Sequence, residues 1–315
     1  MADRPIAIYG AFAANLAIAA TKFAAAFVTG SSAMLSEGIH SLVDTANQVL
    51  LLVGIRRADR PADAGHPFGH ASELYVWGLL VAVALFGIGG GLAFYEGIEH
   101  IRHPEPMSDP TWNYAVLGVA FLFDGASWTL ALRELRRDHP GESAWRAFRA
   151  SPDPGIYTVL AEDTADLAGI ALAAAGIAIG HATGNPAWDG AASIAIGVLL
   201  AGVSLSLART GRSLLTGRSA APPVVASIHA LAGADPAVET ARVPLTMQLG
   251  PNSVLVNVEL VFHEHLRAAD VAEASVRIEA AIRAAHPAVS RVFTEASPRD
   301  AAGRAAPAGG DPPAA

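Results

Sequence analysis

The chain has 315 residues, of which 52% are hydrophobic and only 16% are charged. A soluble domain carries about 25% charged residues, so this composition indicates that much of the chain faces lipid. There is no cysteine, which excludes disulfides and thiolate metal sites, and the net charge of −8 argues against nucleic acid as a partner.

Six apolar stretches are long enough to cross a bilayer, which takes about 20 residues. They are residues 6–28, 33–55, 74–95, 112–132, 156–179 and 188–208. The first could be a signal peptide, but its apolar run is long and five more follow, so we expect it to be retained as a membrane helix. Residues 1–218 are therefore predicted to form a polytopic α-helical transmembrane domain.

Arginine is concentrated in the loops on one side of this predicted bundle, whereas the loops on the other side hold only Arg102. The residues in question are Arg56, Arg57 and Arg60 after the second span, Arg133, Arg136, Arg137, Arg146 and Arg149 after the fourth, and Arg209, Arg212 and Arg218 after the sixth. Because positive loops stay inside, both termini are predicted to be cytoplasmic, with the chain a multi-pass protein of the cell (inner) membrane.

The chain changes character at residue 219. Residues 222–232 and 270–285 have helical patterns, while 238–249, 253–262 and 289–294 have strand patterns, with a turn signature at 250–253. This αββαβ order predicts a small ferredoxin-like cytoplasmic domain over 219–298. Residues 299–315 are rich in Ala, Gly and Pro, which is typical of a disordered tail.

The second predicted span carries polar side chains at helical spacing. His40 and Asp44 are four residues apart, so they lie on one helical face, and Glu37 and Asn47 lie close to the same stripe. A charged group at mid-bilayer costs roughly 2.5–3.5 kcal/mol, so each one suggests a function.

The fifth predicted span adds Glu162, Asp163 and Asp166, of which the first and last are again four apart. If the two helices face each other, they present an imidazole and up to three carboxylates, which suits zinc, iron, cobalt or manganese. The alternative is that these groups are hydrogen-bonded contacts between helices. Carboxylates this close need a cation or protons to coexist, which favours the metal site.

Other intramembrane polar groups carry less information. Asn15 and Asp124 either support the site or serve helix packing, and the two readings are equally good. The only lysine, Lys22, is expected to extend its ammonium toward the outer surface. In the loop between the second and third spans, Asp63, His66 and His70 can bind a metal.

The six spans, the His40 and Asp44 pair, the acidic fifth span, the His-Pro-Phe-Gly-His loop at 66–70 and the αββαβ domain together resemble the cation diffusion facilitator family over residues 6–298. The resemblance implies homodimers that exchange a cytosolic divalent cation for protons. It places His40 and Asp44 in the central metal site, with His in the first position as in zinc-preferring members.

The fifth span departs from the family's common zinc pattern, His-x3-Asp, because it has no histidine. The family's two ligand positions in this helix fall on Glu162 and Asp166, or Asp163 replaces either one. The segment Leu-Ala-Glu-Asp at 160–163 resembles a branch of the family with an acidic pair in this helix. Added carboxylates favour harder cations such as Mn²⁺ or Fe²⁺. By the same resemblance, His66 and His70 fall on an interfacial metal site, with Asp63 as a third ligand.

The sequence thus predicts an efflux transporter of divalent cations working by proton antiport, with Zn²⁺ favoured and Fe²⁺, Mn²⁺, Co²⁺ and Cd²⁺ open. The alternative is a membrane metal sensor or scaffold with the same fold that does not transport. An enzyme is not expected, since neither a nucleophile elbow nor a phosphate loop is present. No cofactor is expected beyond the transported cation, and the partners expected are lipid and a second copy of the chain.

Overall fold

The computed structural model describes residues 4–104, 110–138, 141, 143, 148 and 154–298, without the side chains of 4–14, 138 and 154–157. Long helices make up the first compact unit, which ends at Thr216. They are α1 (Arg4–Thr29), α2 (Ser32–Ala58), α3 (Glu73–Ala84), a π-helical turn (Leu85–Gly90), α4 (Gly91–Arg102), α5 (Thr111–Asp138), α6 (Pro154–Thr183) and α7 (Ala187–Leu215).

Five of these stretches are long and apolar enough to cross a membrane. They are Ser32–Ala58, Glu73–Arg102, which includes the π-helical turn, Thr111–Arg137, Thr158–Thr183 and Ala187–Leu215. In α1 the apolar part with described side chains, Asn15–Thr29, is shorter. Large apolar side chains point outward from the bundle, for example Phe27, which is 92% exposed, and Leu122, which is 71% exposed. Such surfaces need lipid as their solvent, which confirms a membrane protein.

Glycines let the π-helical turn and α4 contact the backbone of α7. A Cβ placed on Gly97 would lie 2.7 Å from the carbonyl oxygen of Gly190, and one on Gly90 would lie 3.2 Å from that of Gly197. Small residues at helix contacts are the usual way to pack helices in lipid, where no hydrophobic effect drives them together. These backbone contacts hold the third span against the last one. The interior of the bundle then lies between α2 and α6.

The second compact unit begins at Gly217. It contains α8 (Pro222–Gly233), β1 (Val238–Ala241), β2 (Leu245–Gly250), β3 (Ser253–Phe262), α9 (Ala268–Ala285) and β4 (Val289–Ala296). β1 and β2 pair antiparallel with successive parts of one edge of β3, and β4 pairs parallel with the other edge. The observed order is αβββαβ and not the predicted αββαβ, because one predicted strand is divided in two, but the unit is a small α/β domain.

The single strand predicted over 238–249 is interrupted. Pro244 has no N–H to donate to a neighbouring strand, so the ladder stops between β1 and β2, although Arg242 still donates its backbone N–H to Glu259. Buried and half-buried side chains alternate along most of β3, and Val256 and Val258 lie in one core with Ile278. The predicted tail at 299–315 and the loop arginines at 146 and 149 lie outside the described residues.

Candidate metal site

The buried centre of the helical unit brings His40 and Asp44 of α2 to Asp166 of α6. The Nδ1 atom of His40 lies 3.5 Å from Oδ2 of Asp44, and its Nε2 atom lies 3.3 Å from Oδ1 of Asp166. One ligand atom from each of the three residues lies within 4.8 Å of the others. An imidazole between two carboxylates on facing helices is a donor set that divalent zinc, iron or manganese accepts.

Apart from their contacts with one another, these donors have no hydrogen-bond partner among the described residues. The atoms concerned are both ring nitrogens of His40, both carboxylate oxygens of Asp44 and the Oδ1 atom of Asp166, and all are buried. Buried polar groups are normally paired, because desolvation without a partner is costly. A divalent cation among the three side chains would bind one ring nitrogen of His40 and an oxygen of each aspartate, and it would neutralise the repulsion between the carboxylates.

The three acidic residues of the fifth span have different surroundings. Glu162 accepts a hydrogen bond from Nδ2 of Asn47 at 2.7 Å, and the carboxylate of Asp163 faces the Ser127 hydroxyl. Of the three, Asp166 joins His40 in the cluster of potential ligands, while Glu162 and Asp163 are predicted ligands that lie outside that cluster.

A cavity of about 300 Å³ reaches the site, and we refer to it as the first cavity. Both of the remaining acidic residues of the fifth span face it. Its lining includes Asn15, Ile18, Ser41, Asp44, Gln48, Asp124, Ser127, Glu162, Asp163 and Asp166. A carboxylate-lined cavity attracts cations, so the acidic residues outside the three-residue cluster can guide a metal toward it.

The expectation that Lys22 extends to the surface is wrong. Its side chain is fully buried, and its ammonium lies 3.0 Å from Oε2 of Glu37 and donates to Oγ of Ser41 at 2.7 Å. A lone lysine in an apolar helix opposite an intramembrane glutamate is the sequence signal that could have identified this pair. The ammonium stays inside because it would lose its contacts with Glu37 and Ser41 if it extended to the surface.

Asp189 is a second polar group that the sequence analysis missed. Its carboxylate accepts the backbone N–H of Ser32 at 2.6 Å and the hydroxyl of Ser31 at 2.8 Å. A carboxylate at this point satisfies the unpaired N–H groups at the start of α2 and complements the helix dipole. The contact fixes the start of the helix that carries His40 and Asp44.

The loop between α2 and α3 brings Asp63, His66 and His70 together. Oδ1 of Asp63 lies 3.3 Å from Nδ1 of His66, its Oδ2 lies 3.5 Å from Nε2 of His70, and the two imidazole centres are 4.2 Å apart. Backbone N–H groups of His66 and Gly65 hydrogen-bond the Asp63 carboxylate and lower its pKa. The three side chains form a second group with ligand atoms close enough to share one ion.

The histidines of the second unit are dispersed. His229 contacts the carbonyl oxygen of Ala241 and His286 contacts the Ser227 hydroxyl, while His263 and His265 stack on each other. Within the described part of this unit, no three potential ligands come together as they do in the two groups above.

The chain is similar in sequence to known transport proteins. Residues 8–216 match the family model described as the cation efflux transmembrane domain. The mouse "Proton-coupled zinc antiporter SLC30A9, mitochondrial" is 37% identical over 243 residues, which are 76% of this chain and 43% of that protein. "Metal tolerance protein C4" of Arabidopsis thaliana is 30% identical over 255 residues, 79% of this chain and 55% of that protein.

A bacterial relative matches a shorter stretch. The "Cation-efflux pump FieF" of Escherichia coli is 34% identical over 124 residues, which are 36% of this chain and 41% of that protein. The chain therefore spans about half or less of the length of these relatives. By their names the relatives are transporters and not enzymes, as the sequence analysis expected for this chain.

Proposed function

We propose that this chain, which belongs to the cation efflux family, exports divalent metal cations, zinc first among them, in exchange for protons. The names of the antiporter, the metal tolerance protein and the efflux pump support transport of this kind. The observation that carries the proposal is the group of unpaired buried donors formed by His40, Asp44 and Asp166.

Exchange follows from the chemistry of these donors. Imidazole and carboxylate bind metal only when deprotonated, so cations and protons compete for the same atoms. A cation that enters from the cytoplasm through the first cavity displaces protons, and protons from the other side displace the cation. Rocking of helices around a fixed central site gives access to each side in turn.

We also propose an architecture with features in addition to the five candidate spans. It includes α1 as a sixth membrane helix, both termini in the cytoplasm, a ferredoxin-like cytoplasmic domain and a homodimer in the cell (inner) membrane. The arginines at the ends of α2, α5 and α7 support that orientation. The loop group of Asp63, His66 and His70 is proposed as a second, more exposed metal site on the cytoplasmic face.

The metal preference of the central site rests on its donors. One imidazole and two carboxylates suit zinc, while Glu162 and Asp163 in the same cavity add oxygen donors that also suit Mn²⁺ and Fe²⁺. A comparison of Zn²⁺, Mn²⁺, Fe²⁺, Co²⁺ and Cd²⁺ under identical conditions decides among them.

The direct test is flux through the purified full chain in vesicles that contain a zinc-sensitive dye. Zinc entry above that of protein-free vesicles supports transport, and entry that stops in a His40→Ala variant assigns it to this site. A chain that binds zinc at His40 but moves none would instead be the sensor or scaffold.

A further inference from the structure

The helical unit has a second cavity, at a different level from the metal site. It has a volume of about 710 Å³, and its lining includes Phe23 and Ala26 of α1 together with Ser32 and Leu35 of α2. The first cavity uses Ile18 of α1 and residues from Ser41 onward on α2. On each of these two helices, therefore, the two cavities are lined by different stretches that follow one another along the helix.

Lys22 and Glu37 occupy the interval between these stretches. Both side chains are fully buried, neither lines either cavity, and the ammonium and carboxylate are 3.0 Å apart. The ammonium also bonds the hydroxyl of Ser41, one helical turn further along α2. The ion pair therefore fills the space that separates the metal site from the second cavity.

Glu37 is also placed as a ligand would be. It lies three residues before His40 on α2, and it faces Gly169, which lies three residues after Asp166 on α6. A Cβ at Gly169 would collide with Oε1 of Glu37, and this oxygen has no hydrogen-bond partner among the described residues. One oxygen of a buried carboxylate is thus unpaired, one helical turn from the metal group on both helices.

The second cavity is also lined by potential metal ligands. Glu96, Glu99, His100 and His103 of α4 and the residues that follow it line this cavity, and Nε2 of His100 lies 3.8 Å from Oδ2 of Asp189. A cation that passes Glu37 would meet carboxylate and imidazole donors at once. Under the proposed orientation, these residues lie toward the outer face.

We propose that the Lys22–Glu37 ion pair is the gate between the two cavities, and that Glu37 is the carboxylate that the departing divalent cation takes once Lys22 is displaced. The ammonium holds that carboxylate closed while the cation is absent from it. The exit role rests on the proposed transport function, whereas the barrier role is a property of the bundle alone.

The barrier is tested by labelling, because the chain has no cysteine of its own. Ile18→Cys places a thiol in the first cavity and Leu35→Cys places one in the second. In metal-free buffer with the pair intact, a membrane-impermeant thiol reagent should reach each from one membrane face only, and from opposite faces. In the Lys22→Ala/Glu37→Ala background, Ile18→Cys should become reactive from both faces without any metal. Labelling that stays one-sided in that background, or is two-sided in metal-free buffer with the pair intact, overturns the gate.

The exit role is tested by zinc flux and zinc binding in the full chain. Glu37→Gln should bind zinc at the central site within about threefold of wild type yet transport it at least about tenfold more slowly. Lys22→Met/Glu37→Gln, which keeps the packing volume, should be equally slow. Recovery of wild-type flux in that double variant would show that the pair only joins helices, and would overturn the proposal.

A matched control removes a different buried contact of α1. Thr29→Val deletes the hydrogen bond from Oγ1 of Thr29 to Oδ1 of Asn113, 2.8 Å long, and should leave flux at the wild-type rate. If the wild-type chain itself moves no zinc, the proposed function fails, and the sidedness of labelling still decides whether Lys22 and Glu37 form the barrier.

Discussion

The Nε2 atom of His40 lies 3.3 Å from Oδ1 of Asp166, across the contact between α2 and α6. The two residues are 126 positions apart in the chain but close enough to ligate one ion. A cation bound between them links the two helices, so occupancy of the site and the relative position of α2 and α6 depend on each other. This is the coupling that alternating access needs.

We expect Asp44→Ala and Asp166→Asn to weaken zinc binding at least about 100-fold and to abolish transport, because each removes a ligand. Membrane insertion should be retained, since loss of an intramembrane carboxylate makes insertion easier. Titration calorimetry and vesicle flux measure the two effects. Near wild-type flux in either variant would refute the assignment of these ligands.

Glu162→Gln is the matched variant on the same helix. The Glu162 carboxylate already accepts a hydrogen bond from Asn47, so the substitution should change zinc affinity by less than about tenfold. A loss as large as that of Asp166→Asn would instead assign Glu162 to the metal and would revise the site.

We expect a pH gradient to drive transport. If protons displace the cation from His40, Asp44 and Asp166, acid on the side toward which the metal leaves should accelerate efflux. The measurement is zinc release from loaded vesicles at constant zinc gradient, with the external pH varied and a protonophore as control. Release that is indifferent to the gradient would indicate a channel or another coupling ion.

The sequence predicted the parts of the molecule that follow from periodicity. Apolar length located the membrane helices, and the four-residue spacing placed His40 and Asp44 on one face. The sequence could not show which of Glu162, Asp163 and Asp166 lies beside His40, because that depends on how α6 is rotated about its own axis relative to α2. The burial of Lys22 was missed for a similar reason, since it depends on a partner on another helix.

We expect the loop group to bind zinc independently of the central site. The lowered pKa of Asp63 keeps its carboxylate ionised, and His66 is exposed, so the three side chains can bind an ion without opening the bundle. His66→Ala/His70→Ala should remove one zinc per chain and leave binding at His40 unchanged. Unaltered stoichiometry by elemental analysis would show that the loop holds no metal.

We expect an acid-dependent contribution of Asp235 to the stability of the second unit. Arg277 donates two hydrogen bonds to its carboxylate, at 3.0 and 3.1 Å, and these lower the pKa of Asp235. The stabilisation, on the order of 1 kcal/mol for a partly exposed pair, is complete above the unfolded-state pKa of about 3.9. It is lost as the pH falls through the lower folded-state pKa.

Asp235→Asn should therefore lower the unfolding free energy at pH 7, and the difference from wild type should disappear in strong acid. The second unit has no Trp or Tyr, so circular dichroism of residues 217–298 is the measurement. Glu279→Gln, which breaks the exposed pair with Arg283, should cost less than about 0.5 kcal/mol. Equal effects of the two variants at pH 7 would contradict the importance of the Arg277 contact.

We expect the second unit to dimerise without holding a tight dinuclear zinc site. Each tightly bound zinc takes three or four protein ligands, and in the described part of this unit the histidines are dispersed. Residues 217–298 have a hydrophobic core of their own, so they can be purified alone.

After excess zinc and dialysis, elemental analysis should find less than one zinc per chain, and light scattering should give the mass of a dimer. Two retained zinc ions would show that ligands were missed, and a monomeric mass at high concentration would leave the membrane helices to hold the dimer.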